Sequence, residues 1–151
     1  MVGTKTLSAA ALLALLCGAL ALSARSAPNT AATVNVGQTR VGEILVDGSG
    51  RSLYYYITET KNQIGCRSDI LTCTKIWPPL MTTGKPHAGP GVKASLLGTV
   101  HRIKPSGVQV TYNGHPLYTY SGDSQPGDLN GQAFYSLWYV LSPSGKPIKT
   151  K

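Results

Sequence analysis

The chain has 151 residues, of which 42% are hydrophobic and 13% charged, and its net charge is +8. That length suits one domain with a modest core. The basic residues are scattered with no run of three and no stripe, which argues against a dedicated polyanion site, so no specific nucleic-acid partner is expected.

Residues 1–26 read as a secretory signal peptide. Lys5 supplies a positive n-region, Ser8 to Leu22 form an apolar run, and Ala24-Arg25-Ser26 fits the small-x-small cleavage rule, with Ala21-Leu22-Ser23 as second choice. The run is about 15 residues long, short of the roughly 20 that a bilayer crossing needs. Cys17 lies inside it, but Leu16 stands where lipidation sites prefer a small residue, so membrane contact is expected only if Cys17 is lipidated. The expected location is the periplasm or the extracellular space, with lipid anchorage the lesser alternative. Removing Lys5 and Arg25 leaves 12 basic residues against 6 acidic ones, a mature charge of +6.

Residues 27–40 are small and polar and read as a linker, closing on an edge strand at Val34 and Val36. From Val41 the pattern becomes strand, Gly48-Ser49-Gly50 turn, strand through Ser52 to Thr58, a first hairpin. A polar stretch with Cys66 and Cys73 follows, and Trp77-Pro78-Pro79-Leu80 stops regular structure because proline lacks the ladder donor. Residues 81–95 read as a surface loop, and Val100 with Ile103 suggests a strand. Val108 to Tyr112 alternates in character, Asn113-Gly114 can supply both positive-φ residues of a type I′ turn, and Leu117 to Tyr120 returns as a second strand. Ala133 to Leu141, the most apolar mature segment, reads as a central strand, and residues 144–151 read as an exposed basic tail. No mature segment holds helical apolar spacing beyond about two turns. The expected fold is all-β: a mostly antiparallel sheet or small sandwich built from two hairpin-based repeats, within a domain spanning residues 41–143.

The repeats are visible in the residues themselves. Gly50 to Tyr56 superposes on Gly114 to Tyr120 at an offset of 64, Glu59 then matches Asp123, and Trp77 to Leu80 matches Trp138 to Leu141 at an offset of 61. Repeat one covers about residues 41–80 and repeat two about 107–141. The extra three residues of the first copy fall in the segment with the cysteines.

These landmarks resemble a bacterial secreted-repeat family, many of whose members are predicted lipoproteins, marked by a Tyr-x4-Asp motif. Repeat two carries the motif as Tyr118-Thr-Tyr-Ser-Gly-Asp123, and repeat one a variant, Tyr54-Tyr-Tyr-Ile-Thr-Glu59. A cysteine pair ahead of Trp77, and Gly122-Asp123 followed by Gly127-Asp128, extend the likeness over residues 41–143. The chain departs from the pattern in having Glu59 for Asp, a wider cysteine spacing and no convincing lipobox. The resemblance implies an exported protein and no activity, since the family is of unknown function.

Tyr54, Glu59, Tyr118, Tyr120 and Asp123 are the candidate ligand-binding residues. In a strand Tyr118 and Tyr120 share a face, and Asp123 lies where that strand ends, so its carboxylate can accept a tyrosine hydroxyl or backbone N–H groups of the next loop. The competing reading is structural: an acid that closes a turn and a tyrosine that packs its ring. Trp77 and Trp138 are expected in the core, with Leu53, Val110, Leu117, Val140 and Leu141. Cys66 and Cys73 are the only thiols left after cleavage and are expected to pair. Closing that loop of eight residues is worth about 2.5 kcal/mol in the chain-entropy model. Their C-x6-C spacing does not match metal, haem or redox motifs, His87, His101 and His115 match no metal pattern, and residues 123–131 lack the full ligand set of a calcium loop. No catalytic constellation, cofactor or metal is expected. The resulting reading is an exported, non-catalytic cell-envelope module for binding or structure, whose partner is an envelope polymer or another envelope protein. The alternative is a periplasmic redox or electron-transfer accessory using the cysteine pair or a bound cofactor.

Overall fold

Short strands carry nearly all the regular structure in the computed structural model, which describes Met1, Gly3 and residues 30–70 and 72–151. The expected leader's apolar run, its cleavage position and Cys17 lie outside the described residues. In chain order the strands are β1 (Thr33–Thr39), β2 (Gly42–Asp47), β3 (Tyr54–Tyr56), β4 (Met81–Thr82), β5 (His87–Ala88), β6 (Leu97–Ile103), β7 (Ser106–Tyr112), β8 (His115–Pro116) and β9 (Trp138–Val140). A one-turn helix α1 (Cys73–Ile76) precedes β4, and a 3-10 turn, Ala94–Leu96, precedes β6. The all-β expectation holds, and pairing is antiparallel except between β1 and β5.

Two strand pairs form the frame. β1 runs against β2 from Val34↔Asp47 to Thr39↔Gly42, and β6 runs against β7 from Leu97↔Tyr112 to Ile103↔Ser106. Each frame extends into the hairpin read from the sequence. Asp47 shapes the first turn by accepting the N–H groups of Ser49 (2.8 Å) and Arg51 (3.0 Å), and Leu53 returns to the carbonyl of Leu45. The second turn places Asn113 (φ 50°) and Gly114 (φ 79°) both in the left-handed region, as type I′ requires, and Leu117 returns to Val110.

The repeats are therefore real, and each begins a strand earlier than the motif-bearing hairpin. The stretch read as a linker ending in an edge strand holds all of β1, because a strand at a sheet margin needs few large apolar residues. Matched hydrogen bonds run throughout. Leu45 N–H reaches Leu141 and Val110 N–H reaches Leu80, while Ile57 N–H reaches Leu137 and Ser121 N–H reaches Ile76. The copies meet at a two-residue bridge in which Tyr54 and Tyr118 exchange N–H···O=C bonds of 2.8 and 2.9 Å. That bridge marks a local pseudo-twofold axis.

Two local expectations are corrected and a third is refined. The segment Ala133 to Leu141 is strand only over Trp138–Val140, because Ala133, Tyr135 and Ser136 hold φ of 59°, 48° and 57° and break the extended chain. The prolines after Trp77 do not end the pairing: Pro79 lies opposite Tyr118 in a bridge closed by its neighbours, with Thr119 N–H on the Pro78 carbonyl and Leu80 N–H on the Leu117 carbonyl, so neither proline is asked for an N–H. The basic tail is exposed over most of its residues, as read, but it is tied back to the domain. Ile148 N–H bonds the Val140 carbonyl, Pro147 bridges Leu141, and Gln132 donates to the carbonyls of Ile148 (2.6 Å) and Thr150 (2.8 Å), although Lys146, Lys149 and Lys151 stay exposed.

Two apolar clusters form the core, and every expected core residue is buried in one of them. One lies under Leu45, Leu53, Val110 and Leu117. The other gathers Tyr54, Tyr118, Trp77 and Trp138 around the axis.

Candidate functional site

The candidate residues converge on that axis, and the connection runs between the copies. Tyr54 of repeat one donates its hydroxyl to Asp123 Oδ2 of repeat two (2.7 Å), and Tyr118 of repeat two donates to Glu59 Oε1 of repeat one (2.6 Å). The backbone explains the exchange. After Tyr56 and Tyr120 the chain turns, with Glu59 N–H on the Tyr56 carbonyl and Asp123 N–H on that of Tyr120, which takes each acid away from the tyrosine of its own motif. Each carboxylate also accepts backbone donors from the loop that follows it: Glu59 from Gly65 (2.8 Å) and Cys66 (3.0 Å), Asp123 from Asn130 (2.9 Å).

An aromatic column stands beside the ties. Trp77 and Trp138 stack with ring centroids 3.9 Å apart and planes within 4°, Tyr56 stacks on the outer face of Trp138 at 4.6 Å, and Tyr120 leans on Trp77 at 4.5 Å. Tyr54 and Tyr118 meet this column edge-on, at 5.4 Å from Trp77 and 5.2 Å from Trp138. Each tyrosine thus pairs its ring with the stack and its hydroxyl with an acid, which satisfies both ends of an amphipathic side chain.

Burial sets the electrostatics. Tyr54 and Tyr118 are fully buried, and Glu59 and Asp123 nearly so. Desolvation pushes the Glu59 carboxyl above its ordinary range, with donors from Tyr118, Cys66, Gly65 and the Arg102 charge partly opposing it. Asp123 is raised for the same first reason, with Tyr54 and Asn130 opposing. Both phenols are driven far up, first by burial and then by their acid partners. The pairs are neutral phenols donating to buried carboxylates, and none of the four residues lines the cavities of about 490, 340, 330, 290 and 160 Å³.

Two residues at this site had no place among the candidates. Arg102, 4% exposed, donates from Nη1 to Gln109 Oε1 and to the Tyr118 hydroxyl (3.4 Å), and from Nη2 to the carbonyls of Cys66 (2.6 Å) and Lys104 (3.1 Å). Gln109 in turn donates to the Leu117 carbonyl (2.7 Å). The signal was present in the alternation: if Val100 faces inward on β6, Arg102 does too. Arg102 makes no direct salt bridge with Glu59 and reaches it through Tyr118. Glu59 Oε2 and Arg102 Nε have no hydrogen-bond partner.

Tyr120 is half-buried in the column. Cys66 and Cys73 form the expected disulfide, with Cα atoms 5.5 Å apart, and it joins the Glu59-binding loop to α1, directly ahead of Trp77. His87 and His101 are exposed, and His115 packs edge-on to Tyr55 at 4.9 Å. Asp128, in the segment compared with a calcium loop, turns its carboxylate onto the N–H groups of Ser124 (2.8 Å) and Gln125 (2.9 Å).

Residues 102–142 match the model of a family described as a secreted repeat of unknown function. That segment runs from Arg102 through the motif to the residue after Leu141, so the resemblance read from the sequence holds there, and the matched bonds above extend the architecture to the first copy. The description marks an exported protein. No helix of the described residues is long and apolar enough to cross a membrane. No curated protein and no solved structure matches the chain.

Proposed function

We propose that this secreted-repeat protein is a non-catalytic cell-envelope module, in which the tyrosine–acid motif fastens the two repeats together and the outer surfaces meet a partner. The observation that carries this reading is the reciprocal pair of bonds, Tyr54 to Asp123 and Tyr118 to Glu59. A residue pair that acts on a ligand needs an open lobe of polar atoms. Here the hydroxyls are spent on the opposite repeat, and the acids accept backbone donors from their own loops. The motif therefore recurs because each copy supplies half of each tie. Unlike a ligand pocket, such a tie loses its purpose if either copy lacks its tyrosine or its acid.

The test is Asp123→Asn, with binding to isolated cell envelope and thermal stability measured on the same preparation. The expected result is a lowered Tm, with envelope association per folded molecule unchanged. Loss of association at an unchanged Tm would return the motif to the role of a ligand site. The redox alternative draws less support, because Cys66 is 1% exposed and a thiol reagent could approach the bridge only from the partly buried Cys73.

A further inference from the structure

The two strand pairs differ at their outer margins. On β1 the chain supplies its own additional strand: β5 lies parallel to it, with the N–H groups of His87 and Gly89 on the carbonyls of Ala32 and Val34, 2.8 Å each. The corresponding margin in repeat two is β6. Asn113 N–H bonds the Leu96 carbonyl (2.7 Å), and the alternation that follows points the backbone groups of Gly98, Val100 and Arg102 at β7. Thr99 and His101, in between, turn theirs outward, and among the described residues no backbone hydrogen bond joins them to any other segment.

Apart from the inward-facing charge of Arg102, this edge lacks the usual protections. It carries no proline over seven residues, and Ile103 at its end is 85% exposed. Cavities flank it on both sides. One, of 490 Å³, lies between Lys85-Pro86 and Thr99, His101 and Val108; the other, of 290 Å³, lies between Lys61-Asn62 and Gly98 and Thr111. Its surroundings are basic. Lys61, Arg67, Lys85 and Lys104 are exposed around it, and the acid among them, Asp69, is engaged by Arg67 (3.2 Å) and Lys104 (3.4 Å).

The geometry points to β6 as a docking edge for an extended acidic peptide segment of a partner protein, added as a further strand. Its main chain pairs with Thr99 and His101, alternate side chains enter the two cavities, and its carboxylates face Lys61, Lys85 and Lys104. β5 on β1 is the internal precedent for such an addition, and the charge of the rim selects an acidic occupant over a second copy of this basic chain. The inference names the partner class for the module proposed above and rests on that reading.

The probe is an acetylated, amidated octapeptide alternating valine and glutamate, titrated into the isotopically labelled processed protein. Shifts and slowed hydrogen exchange are expected at the Thr99 and His101 amides. Thr99→Pro removes an outward N–H that β7 does not use, and it should weaken binding at least tenfold. Val36→Pro, at the matched position of β1, should leave binding within twofold. Replacing the peptide's glutamates with lysine should abolish it. Should Thr99→Pro fail to fold, the Lys85→Glu/Lys104→Glu pair takes its place, with the same tenfold loss expected.

Absence of binding, shifts centred on β1, or binding that survives these substitutions would overturn the inference. So would a concentration-dependent dimer of the protein alone that Thr99→Pro dissolves, which would assign the edge to a second copy. Envelope retention that persists in Thr99→Pro would sink the docking edge and leave the module standing. No envelope retention in the unaltered protein would sink the module, whatever the peptide does.

Discussion

The tie between Tyr118 and Glu59 and the tie between Tyr54 and Asp123 occupy matched positions but differ in what surrounds them. Around Tyr54 the hydroxyl accepts a backbone N–H from Gly131 (3.3 Å), and Asp123 finds its second donor at Asn130. Around Tyr118 the equivalent donor is a guanidinium, Arg102, held by Gln109 and by two carbonyls. The longer Glu59 places three donors on a single oxygen and leaves the other without one. Duplication preserved the backbone and the aromatic rings, which must fit each other across the axis. The charges were free to diverge, because each carboxylate answers mainly to its own loop.

The column common to both ties should matter most. Trp77→Ala or Trp138→Ala removes half of the central stack and opens a cavity, so each should cost about 3–5 kcal/mol in denaturant unfolding. A loss below about 1 kcal/mol in both would mean that the stack can collapse around the gap.

Next in size is the residue that separates the ties. Arg102→Met strands the buried Glu59 carboxylate without its cation and should cost about 3 kcal/mol or more, whereas Arg102→Met combined with Glu59→Gln should recover part of that loss. If the double variant is no more stable than Arg102→Met, the guanidinium serves its carbonyl partners and not the acid.

The tyrosines themselves give a smaller and more direct comparison. Tyr54→Phe and Tyr118→Phe each delete one hydrogen bond to a carboxylate, about 1.5–3 kcal/mol by the usual range for charged partners. Tyr118→Phe should be the more costly, because it leaves both Glu59 and Arg102 short of a partner. Equal unfolding midpoints for the two variants would erase the proposed difference.

Proton linkage should be the subtlest readout. Folded-state carboxyl pKa values lie above the unfolded ones, so Glu59 and Asp123 bind protons more tightly in the native state. Their contribution should be full below the unfolded carboxyl values and be lost as pH rises through the raised folded ones. The stability difference between the protein and its Glu59→Gln/Asp123→Asn variant, followed across that window, should move in this sense; the opposite slope would mean that the donors outweigh burial. The phenols work at the other end. Tyr54 and Tyr118 contribute stability that is intact below the ordinary phenol value of 10.0 and is lost as pH rises toward their raised folded values, so ultraviolet titration should find both of them silent until the protein unfolds.

Much of this architecture was legible in the residues. Alternation and Asn113-Gly114 located the second hairpin, the two offsets paired Trp77 with Trp138, and an isolated cysteine pair in an exported chain became a disulfide. The crossing of the ties was not legible. Local pattern gives Tyr118 an acid five residues on and cannot reveal that the intervening turn sends that acid to Tyr54. β1 was only partly legible because Asn35, Gly37 and Gln38 read as linker, and their strand exists through pairing with β2. Ala133 to Leu141 misled in the other direction: its apolar character reflects packing of Phe134 against Trp77, at 5.6 Å, from a chain that is not extended there.

The bridge at Tyr54 and Tyr118 has a consequence for how many copies such a chain can hold. A lone repeat would carry one unmatched hydroxyl donor, one unmatched acceptor and one face of a stack, and would remain unfolded until it met another. Copies should therefore come in twos, whether joined in one chain or supplied by separate ones. Severing this chain after Gly91 should yield halves that are unfolded apart and regain the native circular dichroism spectrum when mixed in equal amounts; an independently folded half would refute that parity.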